Sequence, residues 1–487
     1  MFLGFDIGTS GVKALLIDSD GRAIASSSAS LDVTRPLAGW SEQAPADWWK
    51  AVNDTALTLA RDHASAMADV RGIGLSGQMH GMVALDKNDD VLRPAILWND
   101  TRNAAEAKEL DDKFPDYREI GGNAVMPGFT APKALWMARH EAELFAKVAT
   151  ILLPKDYVRF LMSGEKISDM SDSAGTLWLD VAARAWSPAL LAPCGLSIDQ
   201  MPNLAEGNAP AGQLRPEIAQ KWGIKNTVTI AGGGGDNASA ACGLGVTSPG
   251  DAFLSLGTSG VVFSVTDSFA PAPAHGAHAF CHALPDTWHQ MGVILAATDC
   301  LNWLSEISNT PVEGLMKAIE KSSFSPSPIL FHPYLSGERT PHNDAAARGG
   351  FFGISRGDDR TDMTRAVLEG VAFAMADAVD ALAAADKRPS QLLTTGGGAK
   401  SRYWLSMIAA VTGYDIIIPE DGDFGAALGA ARLGLLASKP HISGDVATIL
   451  RKPDIIETIS PDAGIRDALG DRRHQWQQLY TAIKPVL

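Results

Sequence analysis

Cysteine is scarce in this chain. Only four occur, Cys194, Cys242, Cys281 and Cys300, and no two of them form a Cys-x-x-Cys pair. The spacing therefore suggests neither a zinc site nor a redox-active pair. So few cysteines in a long chain are typical of a protein kept in a reducing cytosol, and we expect a cytoplasmic protein without a disulfide framework.

Positive charge and long apolar runs are also in short supply. The chain carries 41 Lys and Arg against 56 Asp and Glu, a net charge of −15. So acidic a chain repels phosphate backbones, which argues against general nucleic-acid binding, although backbone amides or Mg²⁺ can still hold a small anion. No apolar run reaches the roughly 20 residues of a membrane helix, and Asp6 interrupts the apolar start, so we expect neither a membrane span nor a signal peptide.

What the chain does have is length and an ordinary globular composition. Its 487 residues are 46% hydrophobic and 20% charged, and at about 150 residues per domain two or three domains are expected. Apolar and turn-rich stretches predict strands over residues 1–5, 12–17, 23–26 and 72–76. Apolar residues at helical spacing predict a helix over 45–61. The mixture of strands and helices favours an α/β fold.

One short motif occurs twice. Gly-Thr-Ser-Gly-Val spans residues 8–12 and returns at 257–261, 249 residues later, and each copy lies between two apolar stretches. Two strand–turn–strand units, one at the start of each half, suggest two domains of similar core fold that face each other. Gly, Thr, Ser and Pro cluster at 243–250 and indicate the boundary, so we expect domains over residues 1–245 and 246–487.

The first copy of this turn could be a plain hairpin or a phosphate-binding loop. Its glycines let the backbone approach an anion, and the hydroxyls and amides of Thr9 and Ser10 can donate to phosphate oxygens. Asp6 would repel phosphate directly, so its place beside the turn makes sense if Mg²⁺ or water lies between them. Lys13 adds a positive charge. Two such loops could clamp one polyphosphate, so the second copy favours the phosphate interpretation.

Two glycine-rich stretches each leave two interpretations open. Residues 231–237 read Ala-Gly-Gly-Gly-Gly-Asp-Asn after an apolar strand. Asp236 could be the N-cap of a small-residue helix, or a general base that accepts a proton from a substrate hydroxyl. Residues 395–401 could form a plain turn before a helix, or a surface on which a nucleoside lies flat against the backbone.

A Gln-Met-His-Gly turn at 78–81 follows a predicted strand. His80 on its own is more often a structural histidine, but Gln78 and His80 together offer directional donors and acceptors that suit a polyhydroxylated ligand. The Gly-x-Gly-x-x-Gly just before it, at 72–77, is not interpreted as a dinucleotide fingerprint. The next strand begins within five residues and leaves no room for the helix that this fingerprint needs.

A larger ordered set of motifs resembles the FGGY family of carbohydrate kinases over roughly residues 1–435. In the second half these motifs include Ser-Leu-Gly-Thr-Ser-Gly at 255–260 and Pro-Tyr-Leu-Ser-Gly-Glu-Arg-Thr-Pro-His at 333–342. The other matching segments are 4–13, 40–43, 77–81, 96–100, 126–133, 135–136, 153–157, 168–172, 350–353 and 365–369. Each motif is moderate evidence, and the ordered set is specific.

The resemblance implies two actin-like, ribonuclease-H-like domains with a cleft between them, in agreement with the repeated turn. It implies transfer of the γ-phosphoryl group of Mg-ATP to the terminal C5 hydroxyl of D-xylulose, by a cytoplasmic homodimer. The resemblance assigns Asp236 the role of general base and Asp6 a water-mediated contact to Mg²⁺. The residues it implies for sugar binding are Met79, His80, Asp236 and Asn237. It implies contacts to the β- and γ-phosphates for Thr9, Ser10 and Lys13 with Thr258 opposite, and nucleoside contacts for Gly397, Gly398 and Ser401. Four glycines precede Asp236 where the family pattern leads us to expect three, which leaves the conformation of that loop open.

Two other functions stay open at this point. One is another sugar or polyol kinase of the same family, acting on ribulose, gluconate, fuculose, rhamnulose or glycerol. The other is an actin-like nucleotide-switch protein, since fold does not fix function. Asp236 beside its glycine run and the Gln-Met-His turn favour a kinase, because a switch protein needs neither. The tail after Ser438 matches the family least, and we interpret it as a helical C-terminal cap.

Overall fold

A computed structural model describes residues 1–320, 324–383, 389–420, 425–439 and 446–486. Its centre consists of two seven-stranded sheets. The first sheet contains β1 (Phe2–Ile7), β2 (Gly11–Ile17), β3 (Ala23–Ser30), β4 (Gly72–Gly77), β5 (Pro210–Gln213), β6 (Thr229–Ala231) and β7 (Gly234–Gly235). Its order is β5-β6-β4-β1-β2-β3, and β7 also pairs with β4. β1, β2 and β3 are antiparallel neighbours, whereas β4 runs parallel to β1 and β6 parallel to β4.

The second sheet repeats this arrangement. It contains β8 (Ala252–Leu256), β9 (Gly260–Thr266), β10 (His278–Cys281), β11 (Trp288–Ile294), β12 (Leu392–Thr395), β13 (Ile416–Pro419) and β14 (Ile455–Ile459), in the order β10-β11-β9-β8-β12-β13-β14. The antiparallel β8, β9 and β11 correspond to β1, β2 and β3, and the parallel β12 and β13 correspond to β4 and β6. Both copies of the Gly-Thr-Ser-Gly turn join the first two strands of a sheet, so the repeat predicted from the sequence is confirmed.

Helices cover both sheets. The longer ones are α1 (Pro45–Asp62), α2 (Ala104–Lys113), α3 (Thr130–His140), α4 (Pro154–Ser163), α5 (Asp236–Leu244), α6 (Thr298–Ile307), α7 (Val312–Glu320), α8 (Arg360–Ala383), α9 (Arg402–Thr412), α10 (Gly425–Ala437) and α11 (Ala463–Ile483). Shorter helices span Ala64–Ala68, Asp116–Glu119, Ala142–Phe145, Met170–Ala174, Pro188–Leu191, Pro216–Lys221 and Val446–Ile449. The predicted helix over 45–61 is α1, which begins at a proline, a residue whose fixed φ suits the first helical position.

Small antiparallel and parallel strand pairs connect these layers. They are Glu42–Gln43 with Ala95–Ile96, Val83–Leu85 with Thr150–Leu152, Ile167–Asp169 with Asn203–Ala205, Leu179–Asp180 with Ala185–Trp186, and Leu330–His332 with Gly350–Phe352. Within the described ranges no helix is both long and apolar enough to cross a membrane.

Helices α5 and α10 join the two halves by packing on each other's sheets. α10 comes late in the chain but covers β1, β2 and β4 of the first sheet. α5 ends the first half, and its Ala241 and Leu244 share an apolar cluster with Phe253, Leu393 and Ile417 of the second sheet. The two helices also pack against each other, so the halves meet at a crossing of two helices.

This crossing depends on glycine. A methyl group placed on Gly429 of α10 would lie 1.7 Å from the carbonyl oxygen of Ser239 in α5, and one on Gly74 of β4 would lie 1.8 Å from the carbonyl oxygen of Ala430. Heavy atoms cannot approach so closely, so no larger residue fits either position without moving a backbone. Gly72 and Gly74 of the Gly-x-Gly-x-x-Gly at 72–77 are thus the positions where α10 packs directly on β4, in agreement with the sequence argument against a dinucleotide fingerprint.

The tail after Ser438 is helical only in part. Residues 440–445 lie outside the described ranges. Beyond them β14 adds an antiparallel strand to β13, and α11 follows with Trp476 buried against the second half. The prediction of a helical C-terminal cap thus leaves out one element of this tail, the strand β14. β14 gives little sequence signal because it is a five-residue edge strand, Ile-Ile-Glu-Thr-Ile, whose apolar and polar residues do not alternate.

We predict that Gly429→Ala destabilises the protein, because the new methyl group forces α5 and α10 apart where they cross. Overpacking of this kind costs about 1–3 kcal/mol or more. The matched control is Gly470→Ala in α11, where the added methyl group meets no atom within 4 Å. There the substitution should be neutral or stabilise the helix by about 0.5–1 kcal/mol. Thermal and urea melts of both variants measure the difference, and equal melting curves would contradict the prediction.

Candidate active site

Asp236 is the first residue of α5 and directly follows β7, whose Gly235 is the N-cap. It is therefore not the cap itself. Its Oδ1 accepts hydrogen bonds from the backbone amide and the side-chain Nδ2 of Asn237, at 2.7 and 2.9 Å. Burial, and next the charge of Asp6, raise the pKa of Asp236 to about 6, against the opposing bonds from Asn237 and the charge of Arg339. A carboxylate with this pKa is ionised at neutral pH and still basic enough to accept a proton.

The four glycines before Asp236 fold back onto β4. Gly233 is left-handed with φ 74°, and a methyl group on it would lie 2.1 Å from the carbonyl oxygen of Leu75. The next two glycines form β7, in which Gly235 pairs with Gly77. The loop conformation that the sequence left open is thus a short strand that brings Asp236 beside the end of β4.

A cavity of about 150 Å³ opens at this point, and all four residues predicted to bind sugar line it: Met79, His80, Asp236 and Asn237. Its other lining residues are Trp98, Ser259, Val261, His278, Phe280, Met291, Val293, Leu295 and Arg339. Ser259 belongs to the second copy of the repeated turn. The cavity wall therefore combines both halves of the chain.

His80 has both a structural and a cavity-lining position. Its backbone is left-handed, with φ 69°, a conformation that a non-glycine residue keeps only where its surroundings hold it. Lys133 Nζ and Thr130 Oγ1 donate to its carbonyl oxygen at 2.9 and 3.1 Å. Its Nδ1 lies 2.7 Å from the carbonyl oxygen of Gly175, which can only accept, so Nδ1 carries the proton. Burial holds the pKa of His80 well below its usual value, so the ring is neutral and Nε2 is an acceptor.

Asp6 lies on β1 opposite Lys13 of β2 in the hairpin register. Ser76 of β4 donates to its Oδ1 at 2.9 Å. Burial raises the pKa of Asp6, while the bond from Ser76 and the charge of Lys13 act in the opposite direction. Asp6 and Asp236 are thus two half-buried carboxylates that repel each other. A hard divalent cation with a preference for oxygen ligands would relieve this repulsion.

The residues present therefore fit Mg²⁺ held largely by a substrate. Such an ion takes one or two carboxylates from the protein and completes its shell with water and phosphate. No cluster of three His, Cys, Asp or Glu suited to a metal occurs among the residues that the structure describes. An ion bound in this way does not need one.

Thr9 is held by a hydrogen-bond network under the first turn. Its Oγ1 donates to Gln78 Oε1 at 2.8 Å and accepts from Trp98 Nε1 at 2.9 Å. Gln43 Nε2 donates to the carbonyl oxygen of Thr9 at 2.7 Å, and Gln78 Nε2 donates to Gln43 Oε1 at 2.9 Å. The hydroxyl of Thr9 is thus already used by the protein, whereas Ser10 is exposed beside it. Contacts of Thr9, Ser10 and Lys13 with phosphate stay a prediction.

The second turn lies between the first cavity and a larger one of about 400 Å³. The exposed Thr258 accepts a backbone hydrogen bond from Ala297 at 2.7 Å, and Thr298 Oγ1 donates to the carbonyl oxygen of Gly257 at 2.8 Å. The larger cavity is lined by Thr298, Leu301, Asn302, Val312, Glu313, Met316, Glu320, Gly397, Gly398, Lys400, Ser401 and Trp404. All three residues predicted to contact a nucleoside are among them.

The sequence analysis gave no role to Arg339, Trp98 or His278, although all three line the smaller cavity. The guanidinium of Arg339 lies 5.7 Å from the centre of the Trp98 ring, so this pair spans the two halves. Arg339 belongs to the motif at 333–342 and Trp98 to the motif at 96–100, so a signal was present. His278 lies in no quoted motif, and only the fold brings it to the site.

Family models match nearly the whole chain. The N-terminal domain of the FGGY family of carbohydrate kinases matches residues 1–243, and its C-terminal domain matches residues 252–438. The chain belongs to this family, and it has the two-domain, actin-like and ribonuclease-H-like fold of carbohydrate kinases. The fold class, the family and the expectation of a kinase are thereby confirmed. The domain boundaries at 245 and 246 remain a prediction.

Individual relatives extend the match over the full length. The chain is 46% identical to the Xylulose kinase of Escherichia coli over 490 residues, with all of both chains covered. A crystal structure of a xyloylose kinase from Brucella ovis is 50% identical, with a TM-score of 0.96 and full coverage of both chains. A gluconate kinase from Lactobacillus acidophilus is 24% identical with a TM-score of 0.90 over 99% of this chain and 97% of that one, a likeness of fold alone.

We predict that Gly397→Ala weakens nucleotide binding without loss of stability. Gly397 is exposed, and a methyl group on it meets no protein atom within 4 Å. The methyl group would therefore clash only with a ligand that lies against the backbone. The dissociation constant for ADP should rise about tenfold, which corresponds to roughly 1.4 kcal/mol. Calorimetry measures it. Gly357→Ala, equally exposed and free of contacts, is the matched control. An unchanged affinity in Gly397→Ala would rule out the predicted nucleoside contact.

Proposed function

We propose that this chain catalyses the reaction ATP + D-xylulose → ADP + D-xylulose 5-phosphate. The observation that carries the proposal is a half-buried carboxylate with a raised pKa, Asp236, in a small cavity walled by both halves of a carbohydrate-kinase fold. The choice of D-xylulose is supported by full-length relatives that bear the name Xylulose kinase. The fold itself does not select the sugar, since a gluconate kinase shares it.

Asp236 is proposed as the general base. As the C5 oxygen of the sugar forms its bond to the γ-phosphorus, the hydroxyl proton passes to the Asp236 carboxylate, and the bond from that phosphorus to the β-phosphate oxygen breaks to release ADP. A raised pKa near 6 suits this task because the base must be ionised at rest yet accept a proton in the transition state. Assistance of this kind contributes about 10²–10⁴-fold.

The neighbours of Asp236 would position the sugar. Asn237 already donates two hydrogen bonds to one carboxylate oxygen, which leaves the other oxygen for the substrate. The neutral His80 offers Nε2 as an acceptor for a sugar hydroxyl, and Met79 gives the cavity an apolar side. Arg339 brings positive charge to a site where phosphoryl transfer spreads negative charge over oxygen.

The larger cavity is proposed to hold the nucleoside, against Gly397, Gly398 and Ser401. The triphosphate would then pass the second turn at Thr258 and reach the first turn, with its Ser10 and Lys13, next to Asp6. Asp6 would hold Mg²⁺ through a water molecule, and the bound ion neutralises charge on the phosphates. Positioning of the two substrates would supply the remaining rate enhancement, since effective molarity can lower a barrier by roughly 7–11 kcal/mol.

We also propose that residues 1–245 and 246–487 close on the substrates as two bodies about the α5–α10 crossing. Water competes with the sugar for the γ-phosphoryl group, and closure excludes it. A cytoplasmic homodimer, as the family resemblance implies, is part of the proposal. The four cysteines are free and buried, which suits a reducing compartment.

The experiment that tests this function is ADP release, coupled to NADH oxidation, with Mg-ATP and a panel of sugars. The panel contains D-xylulose, D- and L-ribulose, L-fuculose, L-rhamnulose, gluconate and glycerol. We expect the highest kcat/KM with D-xylulose and slow ADP release without sugar. A higher value with another sugar would keep the kinase chemistry and replace the substrate. Equal ADP release with and without every sugar would contradict both.

We predict that Asp236→Asn lowers kcat by at least about 10²-fold, because the amide keeps the shape of the side chain but cannot accept the proton. Binding of D-xylulose, followed by tryptophan fluorescence, should change little, and the melting temperature of the variant serves as the control for folding. A variant with near-normal kcat would remove Asp236 from the role of base.

A further inference from the structure

A cluster of charged side chains lies fully buried behind the glycine loop. Lys155 Nζ is 2.6 Å from Asp156 Oδ1, 2.7 Å from Asp169 Oδ1 and 3.1 Å from Asp172 Oδ2, and none of these side chains is exposed. Arg159 pairs with Asp156 in the same cluster. Burying charges is expensive, and well-packed apolar residues often serve stability equally well. The cluster lines neither of the two cavities described above.

A series of hydrogen bonds leads from this cluster to the glycine loop at 232–235, which precedes Asp236. Lys155 pairs with one oxygen of Asp169, and the other oxygen accepts from the hydroxyl of Ser171 at 2.5 Å and from its backbone amide at 2.7 Å. The hydroxyl oxygen of Ser171 in turn accepts the backbone N–H of Gly235 at 3.0 Å. Gly235 is the residue immediately before Asp236.

The negative charge of Asp169 fixes the direction in which these hydrogen bonds are donated. A serine hydroxyl has one proton, and the carboxylate of Asp169 can only accept, so that proton is committed to Asp169. The lone pairs of Ser171 Oγ are then left to accept the N–H of Gly235. Without the negative charge the hydroxyl could rotate and leave that N–H unpaired in a buried place, which is costly.

The same cluster supports the turn that carries Met79 and His80. A methyl group on Gly77 would lie 3.0 Å from Lys155 Cβ, so Lys155 packs directly under the end of β4. Gly77 is also the register partner of Gly235. The segment with the base and the segment with the sugar-lining residues therefore rest on one buried group.

We propose that Ser171 is a positioning residue for Asp236, and that the Lys155–Asp169–Ser171 chain fixes the peptide plane from which the Asp236 side chain extends. Ser171 touches neither cavity, so it acts only through the backbone of Gly235. The inference rests on the proposed role of Asp236 as base. It adds that the geometry of the base depends on a buried charge behind the loop.

The test compares two buried serines bonded to the same cluster. Ser171→Ala removes the acceptor of the Gly235 N–H. Ser168→Ala removes a hydroxyl that donates to Asp156 Oδ2 at 2.6 Å and accepts from Ser173 at 2.8 Å but does not touch the loop. Ser171→Ala should lower kcat about 10- to 100-fold, since misplacement of a catalytic group by about 1 Å costs up to 10²-fold. The KM and the dissociation constant for D-xylulose should stay within about threefold of their original values.

Ser168→Ala should match Ser171→Ala in melting temperature but keep kcat close to that of the unmodified protein. Equal kcat in the two variants, or a loss in Ser171→Ala that falls on KM alone, would overturn the proposal. If Ser171→Ala does not fold, Ser171→Cys replaces it. Its thiol is a weak acceptor, so kcat should fall with KM unchanged, and a normal kcat would overturn the proposal.

Asp236→Asn separates this inference from the function beneath it. If Asp236→Asn is inactive while Ser171→Ala behaves like Ser168→Ala, only the positioning role fails. If Asp236→Asn retains its kcat, the assignment of the base fails, and the positioning role fails with it.

Discussion

The contact on which the rest of the structure depends is the crossing of α5 and α10, where Gly429 approaches the Ser239 carbonyl too closely for any side chain to fit. Each helix belongs to one half of the chain and packs on the sheet of the other. Arg432 of α10 strengthens the crossing, because it donates at 2.8 Å to the carbonyl oxygen of Gly243 near the end of α5. A cation at this end also opposes the negative pole of the helix dipole. Since α5 begins with Asp236, the element that joins the halves also carries the proposed base.

Asp6 and Asp236 show how the fold places two negative charges close together, so that a bound cation would stabilise the site. Both carboxylates are half-buried, and their mutual repulsion is one cause of the raised pKa of Asp236. The nearby Arg339 comes from the other half and offsets part of that repulsion. A site of this kind favours a ligand that brings its own cation, as the proposed nucleoside triphosphate with Mg²⁺ would.

Much of the fold could be predicted because the motif that opens both sheets is repeated in the sequence. Five identical residues marked the same turn in both sheets, the glycine run at 232–235 pointed to Asp236, and the Gln-Met-His-Gly turn pointed to His80. The helix crossing could not be predicted, since glycines such as Gly74 and Gly429 look like poor strand and helix formers until the partner backbone is seen. His278 was missed for a similar reason: it carries no motif, and its position at the cavity comes from strand pairing in the second sheet.

The two copies of the repeated turn differ in the contacts that hold them. In the first copy the side chain of Thr9 is hydrogen-bonded to Gln78 and Trp98. Trp98 lines the smaller cavity, and Gln78 directly precedes Met79, which also lines it. In the second copy the carbonyl oxygen of Thr258 accepts the backbone N–H of Ala297, at the start of a helix that lines the larger cavity. Each turn is thus fastened to the wall of a different cavity. A polyphosphate that bridges the two turns would link both walls at once, so that binding of the proposed nucleotide would be coupled to the geometry of the smaller cavity.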